Sequence, residues 1–299
     1  MIYISHLAIL LSVYTIIALS LNVIAGYCGR LALSQAAFFG IGAYVYALAS
    51  LRSGLGFLPA VTAAVATAAV LSVVISVPAA RLRQDFFIIL SLAVQALVFG
   101  VLYNWSREGV PPGTWANLTN GPFGLVGIPK PSIGNWSFET VPALAIFSVA
   151  WLILIAICCW RLTSSPWGRL LKAVRDDSEV AAGMGKNVRA TEITAFAIGC
   201  GLAAVAGALY AGYSSYLDPT VASLDHSILM LSMVIVGGAG NSVGPFVGAA
   251  ILILVPEAVR FLNVPSSLAA NLRLMAYGAM LVFFLHCRPQ GLAGEYRLE

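Results

Sequence analysis

Charge is what this sequence has least of. Only 9% of its 299 residues are Asp, Glu, Lys or Arg, whereas 60% are hydrophobic and mean hydropathy is +0.92. Soluble domains run at about 45–50% apolar and about 25% charged, so a soluble-domain core is excluded. Ionisable chemistry is scarce as well. His6, His226 and His286 stand apart from one another, and none pairs at i, i+4 with another ligand type, which leaves no basis for a metal site. Cys28, Cys158, Cys159, Cys200 and Cys287 lie in or beside apolar runs without C-x-x-C spacing, so no disulfide framework or zinc site is indicated. The adjacent pair Cys158-Cys159 reads as apolar filler. There is no G-x-S-x-G nucleophile elbow. Gly183-Met184-Gly185-Lys186-Asn187 has the outline of a phosphate loop but lacks its first glycine and its Ser/Thr, which excludes ATP binding by that route. No cofactor is implied. The net charge of +4 comes from basic residues beside apolar runs, a pattern of membrane orientation rather than of nucleic-acid binding.

What the chain has in abundance is unbroken apolar sequence. Charge-free stretches of about twenty residues are long enough for a helix to cross hydrocarbon, and their continuous hydrophobicity excludes a membrane β-barrel. The expected fold class is all-α, a polytopic helical membrane protein, with the bilayer as its solvent. Spans read as 4–25, 31–51, 57–79, 85–104, 139–160 and 191–216, then a glycine-rich region 224–262 and a last span 266–286. The first has no preceding Lys or Arg and no small-residue cleavage site, so it reads as a retained span rather than a removed signal peptide. Arg81 and Arg83 follow the third span, six basic residues follow the fifth, and Arg288 and Arg297 follow the last. The positive-inside rule places all three in the cytoplasm. The segment 105–138, rich in Trp, Pro, Gly and Asn, then lies outside, with Asp218 and Asp225. A cytoplasmic C-terminus requires 224–262 to enter and return. The break available for this is Gly237-Gly238-Ala239-Gly240-Asn241-Ser242-Val243-Gly244-Pro245, since irregular backbone survives at membrane depth only inside protein or beside water. The expectation is about nine spans (eight to ten), broken helices among them, with the N-terminus outside.

Small residues recur four apart at Ala203, Gly207 and Ala211, and at Gly244 and Gly248. Such stripes let helix backbones approach closely in lipid, either within one chain or at a subunit interface or moving seam. Ion-coupled transport needs ionisable groups inside the membrane. The candidates are Asp85 and Arg260 at interfaces, and Glu257 and Arg273 deep enough to pair with each other. They form no carboxylate chain suited to a proton relay, which weakens a secondary transporter, and the lack of clustered catalytic side chains disfavours a membrane enzyme.

The charge that exists is gathered in one internal loop, 161–190. It holds Arg161, Arg169, Lys172, Arg175, Asp176, Asp177, Glu179, Lys186 and Arg189, with Glu192 just beyond. A helix starting at Pro166 after Ser164-Ser165 places Arg169, Lys172 and Arg175 on a basic strip beside an apolar one of Leu170, Leu171 and Val174. Gly183 and Gly185 end it, and a second short stretch leads into the next span. An amphipathic helix of this kind lies on lipid headgroups or inserts into a partner's groove. The residues alone leave both open.

From Gly168-Arg169 through Gly185 to Asn187-Val188, this loop resembles the coupling loop of branched-chain amino acid ABC importer permeases, LivM type. Ala195-Phe196 and Ala206-Gly207-Ala208-Leu209-Tyr210-Ala211 resemble that family's next span. Leu21-Asn22 to Gly26-Tyr27 with Phe38-Phe39-Gly40-Ile41-Gly42-Ala43-Tyr44 resembles its N-terminal signature, and Asn120-Gly121-Pro122-Phe123-Gly124-Leu125 to Gly127-Ile128-Pro129 its external loop. Gly237-Gly238 to Gly244-Pro245 and Arg288-Pro289-Gln290-Gly291-Leu292 complete the likeness, which covers nearly the whole chain in order. One departure is Leu33-Ser34-Gln35-Ala36, where family members commonly read Leu-Gly-His-Ala; it leaves substrate choice open between amino acids and the urea or short-chain amides of close relatives.

The resemblance implies one permease domain over 1–299 in a bacterial inner membrane, importing leucine, isoleucine, valine or related neutral amino acids. It implies a second permease chain of LivH type, two ABC ATPase subunits that hydrolyse the ATP, and a periplasmic substrate-binding protein. The ATPase-coupling residues would be Arg169, Lys172, Arg175, Asp176, Glu179, Gly183 and Gly185. Broken helices can neutralise a zwitterion with backbone dipoles, so the candidate translocation path comprises Asn22, Gln35, Gly40, Gly42, Gly237, Gly238 and Gly240.

Overall fold

A computed structural model describes residues 2–80, 82, 84–107, 109–134 and 136–260, together with 275, 278, 279, 282, 291 and 292. Arg81, Arg83, Arg273, His286, Cys287, Arg288, Arg297 and most of the expected span 266–286 lie outside the described residues, as does the side chain of Arg260.

The apolar runs form helices. α1 (Ile2–Leu21) continues into a π-helical turn, Asn22–Tyr27. α2 (Gln35–Ser53), α3 (Phe57–Ala79), α4 (Gln84–Asn104) and α5 (Val141–Ser164) follow. The charged loop folds as α6 (Pro166–Asp176) and α7 (Ser178–Gly183), and α8 (Val188–Ser214) leaves it. α9 (Leu224–Gly237) and α10 (Gly244–Arg260) flank the glycine break. Among the described residues, strand is confined to two small antiparallel ladders, β1 (Leu125–Val126) with β4 (Tyr216–Leu217), and β2 (Ser132–Ile133) with β3 (Trp136–Ser137). Five of the helices, α1 with its π-turn, α3, α4, α5 and α8, are long and apolar enough to cross a bilayer.

Two layers are evident from burial. α1 with its π-turn, α2 and α8 bury most of their residues, whereas α3, α4 and α5 expose apolar side chains such as Val74, Ile89, Leu97, Ile146 and Leu154. Exposed aliphatic faces are stable only against lipid or another apolar surface. The inner helices touch through small residues. A Cβ on Gly42 would lie 2.3 Å from the Ala204 Cα, and one on Gly207 would lie 2.1 Å from the Phe39 carbonyl. The stripe 203–207–211 therefore packs α8 against α2, and Gly248, facing the Met233 carbonyl, packs α10 against α9. Both stripes serve packing within the chain.

Two sequence boundaries shift. The span expected from residue 31 begins at Gln35, because residues 28–34 run as irregular chain alongside α4, with the Leu33 N–H on Ser91 Oγ at 3.0 Å. The loop helix expected to reach Gly183 stops at Asp176. Asp177 is extended (φ −156°, ψ 105°) and its carboxylate accepts from the N–H groups of Glu179 and Val180, each at 2.9 Å, which caps α7. One acceptor satisfying two orphan donors makes a new helix start there more favourable than continuation.

Candidate functional site

Ser165 starts α6 as anticipated, accepting from the Gly168 N–H, and Pro166 fills the first turn. The apolar side of α6 turns into the protein: Leu171 and Val174 are buried, Leu171 beside Tyr27, Cys28 and Ala195. The basic strip divides. Arg169 is exposed, Lys172 is half-buried with Nζ 5.6 Å from the Tyr27 ring centroid, and Arg175 turns inward. Arg175 Nη1 donates to the Gly26 carbonyl at 2.8 Å, while its Nε reaches Asp176 at 3.1 Å. Its Cγ lies 2.6 Å from where a Cβ on Gly29 would be. What faces water is the tip. Asp176, Glu179, Gly183 and Gly185 are exposed together with Val180 and Met184, so two apolar side chains stand among charges on α7 and the turn after it.

The glycine break forms the opposite wall of this arrangement. Gly238 (φ 104°) and Gly240 (φ 82°) adopt left-handed backbone, which glycine alone enters without steric cost. Asn22 clamps the break. Its Oδ1 accepts from the Gly240 N–H and its Nδ2 donates to the Asn241 carbonyl, both at 2.9 Å. Gly26 allows the approach, since a Cβ there would sit 2.5 Å from the Gly240 nitrogen. Tyr27 Oη lies 3.1 Å from Ser242 Oγ. Gly237 packs on the Gly244 carbonyl, and the Leu292 N–H donates to the Val236 carbonyl at 3.0 Å, bringing the end of the 288–292 motif onto the same place. The π-turn Asn22–Tyr27 is thus a junction that touches α6 on one side and the break on the other. π-Helical turns concentrate at functional sites.

Gln35, Gly40 and Gly42 belong to a separate cluster, where α2 begins. Gln35 Nε2 donates to Ser20 Oγ, and Ser20 donates to the carbonyl of Gly199, near the middle of α8. A helix starting within the bundle leaves N–H groups to satisfy. Ser227 of α9 accepts from the Ala36 N–H at 3.1 Å, and Gln95 of α4 accepts from the Ala37 N–H at 2.9 Å while its amide donates to the Ala222 carbonyl. Gly40 faces Ala222, and Gly42 faces Ala204. Ser34 Oγ and Gln35 Oε1 are buried acceptors without a hydrogen-bond partner.

Sequence reasoning missed Gln95 and Ser227, and it missed Arg30. Arg30 binds Glu192 through Nε at 3.0 Å and Nη2 at 2.8 Å, donates to the Leu82 carbonyl at 3.1 Å, and lies 5.4 Å from the Phe87 ring centroid. Both partners line a cavity of about 450 Å3 that opens beside Arg175 and Ser178. A glutamine midway along the apolar run 85–104 and a lone charge between the first two spans were the available signals. Of the earlier ionic candidates, Asp85 is exposed and Glu257 accepts from the Tyr3 hydroxyl at 2.7 Å; pairing with Arg273 lies outside the described residues.

At the other end of the bundle, the 120–129 motif is joined to the loop after α8. β1 pairs with β4, and the N–H groups of Gly127 and Ile128 donate to the Ser215 carbonyl. Trp105 Nε1 donates to the Trp115 carbonyl at 2.9 Å, and Trp115 and Phe123 are exposed.

Comparison with known proteins gives a consistent result. The family model for the branched-chain amino acid transport system, permease component, matches residues 3–285. The high-affinity branched-chain amino acid transport system permease protein LivM of Escherichia coli (strain K12) is 28% identical over 96% of this chain and 69% of its own. A probable LivM permease protein of Methanocaldococcus jannaschii is 25% identical over 98% and 93%. The autoinducer 2 import system permease protein LsrC of Shigella flexneri is 27% identical over 44% of each chain. No solved structure gives a significant match.

Proposed function

This chain belongs to the family of branched-chain amino acid transport permease components, as a multi-pass membrane subunit and not an enzyme, and from that premise we propose a specific role. It forms, with a second permease chain of LivH type, the membrane path of an ATP-driven importer for leucine, isoleucine, valine or related neutral amino acids. Two ATPase subunits dock on the cytoplasmic loops of the two permease chains, 161–190 being the loop of this one, a periplasmic binding protein delivers substrate at the 105–138 end, and the complex sits in a bacterial inner membrane. The relatives named for branched-chain amino acid transport support the substrate class.

The observation that carries the mechanism is the Arg175 hydrogen bond to the Gly26 carbonyl. It ties the loop to the π-turn, and the π-turn holds the glycine break through Asn22. The water-facing tip, with Val180 and Met184 among Asp176, Glu179 and Lys186, presents an apolar anchor with a charged rim, as docking surfaces do. α6 then acts as the lever, and Lys172 and Arg175 serve as its fastenings on the permease side. Substrate passes between the break at 237–240 and the start of α2, where Gln35 offers a polar atom.

Uptake of labelled leucine into vesicles containing the chain, its permease partner, ATPase subunits and binding protein tests this. Uptake has to require ATP and be competed by isoleucine and valine. ATP-independent uptake would overturn the importer assignment, and competition by urea with none by valine would overturn the substrate class.

A further inference from the structure

Between α5, α6 and the glycine break lies a second cavity of about 360 Å3, whose walls include Trp160, Ser164, Arg169, Lys172, Tyr27 and Ser242. No carboxylate lines it. Neither cation has an acidic partner, since the ion pairs among the described residues are Arg30–Glu192 and Arg175–Asp176. Positions i and i+3 of a helix hold their Cβ atoms about 5–6 Å apart, so Arg169 and Lys172 aim two positive charges at one small volume. The hydroxyls of Ser164 and Ser242 add donors. Two convergent cations without a counter-charge match a phosphate group in charge and in hydrogen bonding.

The surroundings identify which phosphate. On α5, Ile146, Ile153, Leu154, Ile157 and Trp160 are all exposed, and their spacing of seven, eight, eleven and fourteen from Ile146 puts them on one face. That apolar stripe runs straight into the cavity and ends on an aromatic residue, the type that settles at headgroup depth. We propose that the cavity binds the headgroup phosphate of an anionic phospholipid, with its acyl chains along the α5 stripe. The bound lipid bridges α6 to Asn241 and Ser242 and so braces the lever against the break. The site lies on α6, apart from the α7 tip assigned to the ATPase, and its occupancy does not depend on what is transported.

The test uses the full chain purified in mild detergent. Native mass spectrometry and thermal unfolding are followed as phosphatidylglycerol, phosphatidylcholine or free glycerol phosphate is added. Phosphatidylglycerol has to be retained and to raise the unfolding temperature, while the other two do neither. Arg169→Gln and Lys172→Gln each have to weaken its retention roughly fivefold, the effect of about one basic residue at an anionic surface, and Arg169→Lys has to keep most of it. Ser164→Phe, which fills the cavity and leaves both charges, has to weaken retention as well. Equal retention of phosphatidylcholine, saturation by glycerol phosphate alone, or unchanged phosphatidylglycerol affinity in Arg169→Gln/Lys172→Gln or in Ser164→Phe overturns the assignment. Transport is read in none of these arms, so a failure here is distinct from a failure of the importer reading.

Discussion

Replacing Glu192 by Gln tests whether the Arg30 ion pair holds the charged-loop end of the bundle together. The pair is largely withdrawn from solvent, with side-chain exposures of 18% for Arg30 and 9% for Glu192, and its geometry is bidentate. Removing one partner of a buried, hydrogen-bonded pair costs about 3–5 kcal/mol, because the remaining charge is stranded. Two features put the expected loss at the low end. Arg30 keeps the Leu82 carbonyl and the Phe87 ring, and the cavity of about 450 Å3 that both partners line brings water to the guanidinium. The expected cost is about 3 kcal/mol, or a fall in Tm of about 6 °C at roughly 2 °C per kcal/mol for a chain of this size.

Cys28 is buried and lines the same cavity, so with Cys158, Cys159, Cys200 and Cys287 replaced by Ala a thiol-reactive fluorophore reports unfolding at this place. The double variant Arg30→Gln/Glu192→Gln, which removes both charges, has to lose no more than the worse single variant, giving a coupling of at least about 1 kcal/mol in the double-mutant cycle. A Tm for Glu192→Gln within 1 °C of the parent, or losses that simply add in the double variant, would refute the argument.

Gly183→Leu leaves the fold intact, because a Cβ there meets nothing within 4 Å; on the proposed docking of α7 it uncouples ATP hydrolysis from uptake. Normal uptake per ATP in reconstituted vesicles would count against that docking. Gln95→Leu strands the Ala222 carbonyl and the Ser227 hydroxyl inside the bundle, while the Ala37 N–H keeps the Ser34 carbonyl; at about 1–3 kcal/mol for each unsatisfied group, unfolding temperature in detergent reads the sum. Asn22→Asp keeps the acceptor for the Gly240 N–H but sets an oxygen against the Asn241 carbonyl. It has to reduce both stability and leucine uptake, and full uptake in that variant would show the clamp to be dispensable.

Local rules made much of this architecture legible, and long-range pairings hid the rest. Apolar run length located α1, α3, α4, α5 and α8; the Gly237–Pro245 stretch marked the break; Ser165-Pro166 marked the start of α6. Each depends on residues that are neighbours in sequence. The inward turn of Arg175 does not, since it needs a bare carbonyl at Gly26, 149 positions earlier. Nor does the Arg30–Glu192 pair, 162 positions apart. The late start of α2 escaped for a related reason: Leu31-Ala32-Leu33 is apolar enough to read as helix, but the partners that satisfy an early, irregular approach are Ser91, Gln95 and Ser227 on other helices. Of the candidate path residues, Asn22, Gly237, Gly238 and Gly240 come together, while Gln35, Gly40 and Gly42 form their own cluster.

A lever works only if it is stiff towards its load and loose towards its driver, and the two loop helices divide along that line. α6 is anchored by buried Leu171 and Val174 and by a charge-assisted bond from Arg175 to Gly26; such bonds are shorter and roughly twice as strong as neutral ones. Beyond it, Gly26 has no side chain to yield and bears on the backbone of Gly240, so displacement of α6 reaches the break without being absorbed by rotamer changes. α7 is mostly exposed and is joined to α6 through the extended backbone of Asp177, a single residue about which the tip can reorient on a partner. On the proposed function the driver therefore grips α7, the hinge at Asp177 accommodates its approach, and the π-turn rather than any side chain in the path is the part that must move for the break to open.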